Sequence, residues 1–175
     1  MTGSPALPAG QARGLSRAPI TLGLILANLA LFLVMAALGG GFWQSSQSGL
    51  QLAWGANFAP ATQDGQWWRL GSALFIHFGL LHLGTNMVAL WDAGQLLERS
   101  LGHARFLGLY LLAGLTGNLA SLAAHGNQAV SGGASGAIFG VYGALVVALW
   151  LQRRHLSRQE FRWMFWSAQI GRAHV

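Results

Sequence analysis

The residue types that could do chemistry here are a serine in a run of small residues and a histidine–asparagine pair upstream of it. Ser135 lies in Gly132-Gly133-Ala134-Ser135-Gly136-Ala137-Ile138-Phe139-Gly140, just ahead of an apolar run that ends near Leu151. A hydroxyl at a helix start has unpaired backbone N–H groups beside it, and these favour an incoming anion or a developing oxyanion. The same placement suits a plain serine cap on a helix packed through its glycines. His82 and Asn86 are four residues apart, so on a helix they share one face. Polar groups inside an apolar span face protein or a water cavity. These two read either as interhelical hydrogen-bond donors that hold a bundle together or as donors aimed at charge developing near the serine. His77 falls at the mouth of that span and reads as structural. Two histidines and an amide lack a third strong ligand, and there is no HExxH pattern, so no metal site is expected.

The elements that position these groups must be membrane helices. Only 8% of the 175 residues are charged and 53% are hydrophobic, with several apolar runs of spanning length. The formal charge of +6 comes entirely from arginine, since the chain has no lysine. The arginines fall between apolar runs instead of forming one patch, which points to membrane topology and away from nucleic acid. Without cysteine, neither disulfides nor thiolate chemistry is available. Trp43, Trp54, Trp67 and Trp68 cluster in one connecting segment, and Trp150, Trp163 and Trp166 in another, as interfacial belts do.

Residues 1–19, rich in Ala, Gly and Pro, read as a short cytoplasmic tail. Ile20 to Leu38 is an uncharged run, expected as a first helix that is retained and not cleaved as a signal. Residues 42–76 are expected to form a long, partly helical loop in the interface. A second helix is expected from Leu80 to Leu97, carrying His82, Asn86 and Asp92, a third from Phe106 to Ala124, and the serine helix up to Leu151. Gly132, Gly136, Gly140 and Ala144 would form a side-chain-free stripe on that last helix. Four alternating spans place Arg13, Arg17, Arg99, Arg105, Arg153, Arg154, Arg158 and Arg162 on one face and Arg69 on the other. The crowded face is then cytoplasmic, and Ser135 and His82 both lie near the outer face.

With these motifs in place, the sequence resembles the rhomboid family of intramembrane serine proteases. Trp68-Arg69 resembles the family's Trp-Arg pair of the first outer loop. His77-x4-His82-x3-Asn86 resembles its second-span pattern, and Gly94-x3-Glu98-x3-Gly102 the pattern at the inner end of that span. Gly133 to Gly140 resembles the nucleophile motif, and the likeness covers roughly residues 18 to 165. The resemblance implies an all-α, polytopic membrane bundle of six helices, four of them present here, that cleaves transmembrane substrates near the outer face without a cofactor. It makes Ser135 the nucleophile. His82 and Asn86, with the Ser135 N–H, would form the oxyanion hole, and His77 would support the outer end of the second helix. Phe139 would pack against the catalytic histidine, and Gly136 and Gly140 would allow close helix contact.

The family's general base is a histidine on a sixth helix, and this chain is expected to stop short of it. His155 lies about 30 Å along a continued helix, in the basic loop. His174 follows Arg162 by too few residues to recross a core of about 30 Å. The tail from Gln169 to Val175 drops the apolar pattern and reads as non-native sequence, such as translated adaptor. The organisation expected is therefore a tail over 1–19, an incomplete membrane domain over 20–168 and a foreign end over 169–175. The fragment as written is expected to be inactive. The expected setting is a bacterial inner membrane with the N-terminus cytoplasmic, and the partners are the lipid bilayer and transmembrane substrates. The rival readings are a catalytically inactive relative that binds transmembrane helices and an unrelated four-helix membrane module. No internal repeat favours the latter.

Overall fold

The computed structural model describes residues 18–43, 48–125 and 129–152. Four long helices build the bundle: α1 (Pro19–Ala37), α5 (Leu80–Leu101), α6 (His103–His125) and α7 (Ser135–Gln152). Between α1 and α5 lie α2 (Ser48–Ala53), β1 (Asn57–Phe58), α3 (Ala59–Gln63), α4 (Arg69–Ser72) and a 3-10 turn over Ala73–Phe75. A second strand, β2 (Val130–Ser131), precedes α7 and pairs antiparallel with β1. Helices α1 and α6 are long and apolar enough to cross a membrane. Helix α5 carries Asp92, Glu98 and Arg99 and reaches that standard only together with the segment Arg69–Phe75, from which it bends by 93°. The apolar part of α7 is Ser135–Ala148.

Helix α1 has no capping side chain of its own. Pro19 stands in its first turn and Ala18 precedes it, so nothing local accepts its first N–H groups. A carboxylate from α5 does so instead. Glu98, fully buried, accepts the Ile20 N–H at 3.0 Å, the Thr21 N–H at 2.8 Å and the Thr21 hydroxyl at 2.7 Å. Its Oε1 also meets His103 Nδ1 at 2.6 Å, across the α5–α6 corner. A negative charge at a helix N-terminus is further favoured by the helix dipole. That corner is a single residue, Gly102, at φ +82, a left-handed conformation that glycine adopts without steric cost. Gly94 lets Thr21 approach, since a Cβ there would stand 2.9 Å from Thr21 Cγ2.

Helices α6 and α7 meet through glycine. A Cβ on Gly117 would lie 3.0 Å from the Gly136 Cα, and one on Gly140 would collide with the Ala113 Cβ. A Cβ on Gly114 would run into Leu74. The bundle core is filled by Leu83, Leu90, Leu97, Phe106, Tyr110 and Val141, all fully buried.

The connecting segment between α1 and α5, expected as a long, partly helical loop, holds short helices that are tied together by hydrogen bonds. Arg69 is buried, and its guanidinium donates to the Leu52 carbonyl at 2.6 Å, the Ala56 carbonyl at 3.0 Å and Gln66 Oε1 at 2.7 Å. Its Cζ lies 4.8 Å over the neighbouring Trp68 ring. Trp43, Trp54, Trp67 and Trp68 remain exposed around this folded segment. The β1–β2 pair and Asn57 Nδ2, which donates to the Asn118 carbonyl at 3.0 Å, tie the segment to the ends of α6 and α7. Asn118 in turn donates to the Leu70 carbonyl at 2.7 Å. Helices α5 and α6 also run further than their apolar stretches predicted, because Glu98 and Gly102 hold the polar corner between them in register. Arg13, Arg17, residues 153–175 and the proposed foreign end lie outside the described residues.

Three outcomes follow for stability in detergent micelles. Glu98→Gln keeps the shape but replaces one accepting oxygen by a donor, and should cost about 2–3 kcal/mol. His103→Ala, which removes one partly exposed contact, should cost about 1 kcal/mol or less. Gly140→Leu must push α6 and α7 apart and should cost at least about 2 kcal/mol. Denaturant titration followed by circular dichroism checks all three.

Candidate active site

The site is assembled where three chain segments meet: the turn before α5, the start of α5, and the glycine segment before α7. Gly79 at φ +119 ends the bend and starts α5. This sets His77 just before the helix and His82 in its first turn, with ring centroids 5.1 Å apart. His82 then lies against Gly133. A Cβ on that glycine would stand 2.8 Å from both His82 Cε1 and Nε2, so the ring edge occupies space that only glycine leaves free. Gly133 is at φ +119, which also favours glycine, and its N–H donates to the Ala73 carbonyl at 2.8 Å. Gly132 packs as tightly, since a Cβ on it would be 2.9 Å from the Ile76 carbonyl oxygen.

The backbone groups around the two histidines assign them opposite tautomers. His77, buried, has Nδ1 at 3.4 Å from the Phe75 carbonyl and Nε2 at 3.4 Å from the Ala134 N–H. A carbonyl needs a donor and an N–H needs an acceptor, so the His77 proton is on Nδ1. For His82 the Phe78 N–H points at Nδ1 at 3.4 Å, so Nδ1 accepts and the proton is on Nε2. The Nε2–H is on the ring edge that faces Gly133. His77 thus spends both ring nitrogens on backbone, whereas His82 keeps a donor at the glycine segment.

Ser135 is the first residue of α7, directly after this segment. The Ile138 N–H bonds the Ala134 carbonyl, which makes Ala134 the capping position and leaves Ser135 inside the first turn. Among the described residues, the Ser135 hydroxyl and the N–H groups of Ser135, Gly136 and Ala137 have no hydrogen-bond partner. Ser135 is exposed to a cleft of about 330 Å³, lined also by Gly117, Asn118, Ser131, Gly136 and Phe139. A hydroxyl with free N–H groups beside it is an arrangement suited to acyl transfer; His82 and Asn86 are not among the residues lining the cleft that Ser135 faces, and the His82 ring meets this segment at Gly133.

The remaining predicted residues divide. Asn86 is buried and donates through Nδ2 to the His82 carbonyl at 2.7 Å, so one amide hydrogen is spent on its own helix and the other is left. Gly136 and Gly140 lie in the α6 contact. Gly132 does not belong to the helical glycine row, because α7 begins only at Ser135. The helical row is Gly136, Gly140 and Ala144. Phe139 lines the cleft at 77% exposure and touches no aromatic ring among the described residues. Trp68, Arg69, Glu98 and Gly102 are away from the serine and act on the frame. Gly133 enters from sequence only as the first residue of the nucleophile motif, with no role of its own, and the Ala134 N–H does not enter. Their signal was present only as a second glycine beside Gly132, with nothing local to say that a histidine edge would fill the space. Among the described residues, no three His, Cys, Asp or Glu side chains converge as metal ligands would.

A family model of the rhomboid domain matches residues 64–171. The chain is 38% identical over 135 residues to "Rhomboid protease GluP" of Bacillus subtilis (strain 168), an alignment covering 77% of this chain and 26% of that protein. It is 34% identical over 134 residues to "Putative rhomboid protease YdcA" of the same organism, covering 77% and 63%. To "Rhomboid protease GlpG homolog" of Cronobacter sakazakii (strain ATCC BAA-894) it is 34% identical over 134 residues, covering 77% and 44%. The chain therefore spans between about a quarter and somewhat under two thirds of the length of these relatives. The domain match takes in more than half of the chain, including the Arg69 frame, the His77–His82 pair and the start of α7, and the chain belongs to the rhomboid family of intramembrane proteases.

Proposed function

We propose that this chain carries the nucleophile and oxyanion half of an intramembrane serine protease that cuts transmembrane substrates near the outer membrane face. The supporting observation is the His82 ring edge seated on Gly133, with Ser135 two residues on and its hydroxyl unspent. Ser135 Oγ attacks the scissile carbonyl and forms a tetrahedral adduct. The oxyanion is met by the Ser135 N–H, by His82 Nε2–H and by the unspent amide hydrogen of Asn86. His77 positions the segment through the Ala134 N–H and takes no proton. Neither His77 nor His82 offers a free basic nitrogen to the serine in this reading, and the family resemblance implies that the general base is a histidine on a later helix. It accepts the Oγ proton and then gives it to the leaving amine, and water hydrolyses the acyl-enzyme. The distribution of arginine supports an orientation with the N-terminus on the cytoplasmic side, and the short tail and six-helix resemblance support a bacterial inner membrane.

The test is cleavage of a model transmembrane substrate in proteoliposomes by the full-length gene product. Ser135→Ala should abolish cleavage. His82→Ala and Asn86→Ala should each lower kcat about a hundredfold, as the loss of one oxyanion donor does. His77→Ala should act through stability, lowering the melting temperature along with the rate. Equal cleavage with serine or alanine at position 135 would refute the assignment. Silence of every form across several substrates would favour the rival, a relative that binds transmembrane helices without cutting them.

A further inference from the structure

Two polar side chains in the middle of the bundle lack the partners that buried groups need. Asn28 on α1 and Tyr110 on α6 stand about 13 and about 11 Å along their helices from the starts at Pro19 and His103. Those two starts are joined through Glu98, so the side chains lie at one depth. Both are fully buried among the described residues, so neither waits on a group from another part of the chain. Asn28 Nδ2 donates to the Leu24 carbonyl at 2.8 Å, one turn back in its own helix. Asn28 Oδ1 accepts nothing, and the Tyr110 hydroxyl neither donates nor accepts. The hydroxyl faces the Asn28 side chain, yet the two do not close a hydrogen bond. Turning the amide over would set Oδ1 against the Leu24 carbonyl, so the contact with Leu24 fixes which way the amide points.

An orphaned donor and an orphaned acceptor are costly this far from solvent. What serves both must donate to an amide oxygen, accept from a phenol and be small enough for a helix contact. Water is the molecule with that chemistry. Helix α1 packs chiefly on α5 and more lightly on α6, so the site lies in the looser of these two contacts. We propose that Asn28 and Tyr110 hold one buried water between α1 and α6, which donates to Asn28 Oδ1 and accepts from the Tyr110 hydroxyl. It fastens α1 to α6 at mid-depth, as Glu98 fastens α1 to α5 at the helix start. The site takes no part in the chemistry at Ser135 and holds whether or not Ser135 cuts.

The experiment uses the full-length gene product, uniformly labelled with nitrogen-15, in proteoliposomes. Solid-state NMR reads magnetisation transfer from water to the Asn28 side-chain amide. The backbone N–H of Leu90, fully buried in the middle of α5, sets the dry baseline. Transfer to Asn28 should stand well above that baseline in the parent and fall at least about threefold in Tyr110→Phe. The same variant should lower the melting temperature by about 3 °C, because it leaves the water one partner short. A parent Asn28 no wetter than Leu90 would overturn the proposal, whether the two side chains then bond directly or stay apart. So would transfer that Tyr110→Phe leaves unchanged, or a higher melting temperature in that variant, which is what removing an unserved hydroxyl gives.

Discussion

The structure depends on one contact: an imidazole edge filling the space beside a glycine that has no Cβ. Any side chain at position 133 would displace His82, and the glycine's φ of +119 would disfavour it as well. This contact joins the beginning of α5 to the beginning of α7. It therefore determines where Ser135 stands relative to a histidine N–H, before any substrate is present. Preorganisation of this kind is what makes a donor useful to a transition state, because no reorganisation is left to the moment of reaction.

The rest of the fold keeps that contact from slipping. On the serine side, the segment before α7 is held by the β1–β2 pair, by Gly133 N–H on the Ala73 carbonyl and by Ala134 N–H on His77. The Ala73 carbonyl belongs to the same folded segment whose Leu52 and Ala56 carbonyls accept from the buried Arg69 guanidinium. On the α5 side, the helix is fixed at its far end by Glu98, which caps α1 and meets His103. The glycines of α6 and α7 bring two backbones together and leave no slack between them. Most of the polar fastening lies at the two ends of the bundle, while its middle is packed mainly with apolar side chains around one buried asparagine, Asn28, which donates to the Leu24 carbonyl.

Much of this was legible because it is local. Apolar runs bounded by glycine and arginine gave the four long helices, with α1 and α7 close to their expected limits. The four-residue spacing of His82 and Asn86 placed them on one face, and Ser135 was legible as the start of a helix. The illegible parts are contacts made across the chain. Nothing around Ala18 says that its helix is capped by a carboxylate from 78 residues away. Nothing near Arg69 announces the carbonyls of Leu52 and Ala56 as its acceptors. Gly132 shares the four-residue spacing of Gly136 and Gly140 but lies before α7, packed on Ile76, so periodicity alone assigned it to the wrong element. The family resemblance supplied roles for these residues, and the geometry supplied the hydrogen bonds through which those roles would act.

The central claim is that the backbone holds His82 as an Nε2–H donor and His77 as the opposite tautomer. Nitrogen-15 NMR of histidine-labelled protein in lipid nanodiscs at neutral pH, with each ring assigned by a single substitution, tests it directly. The account predicts a protonated Nε2 with a bare Nδ1 for His82, and a protonated Nδ1 with a bare Nε2 for His77. A His82 ring protonated on Nδ1 would turn an acceptor toward the glycine segment and contradict the account.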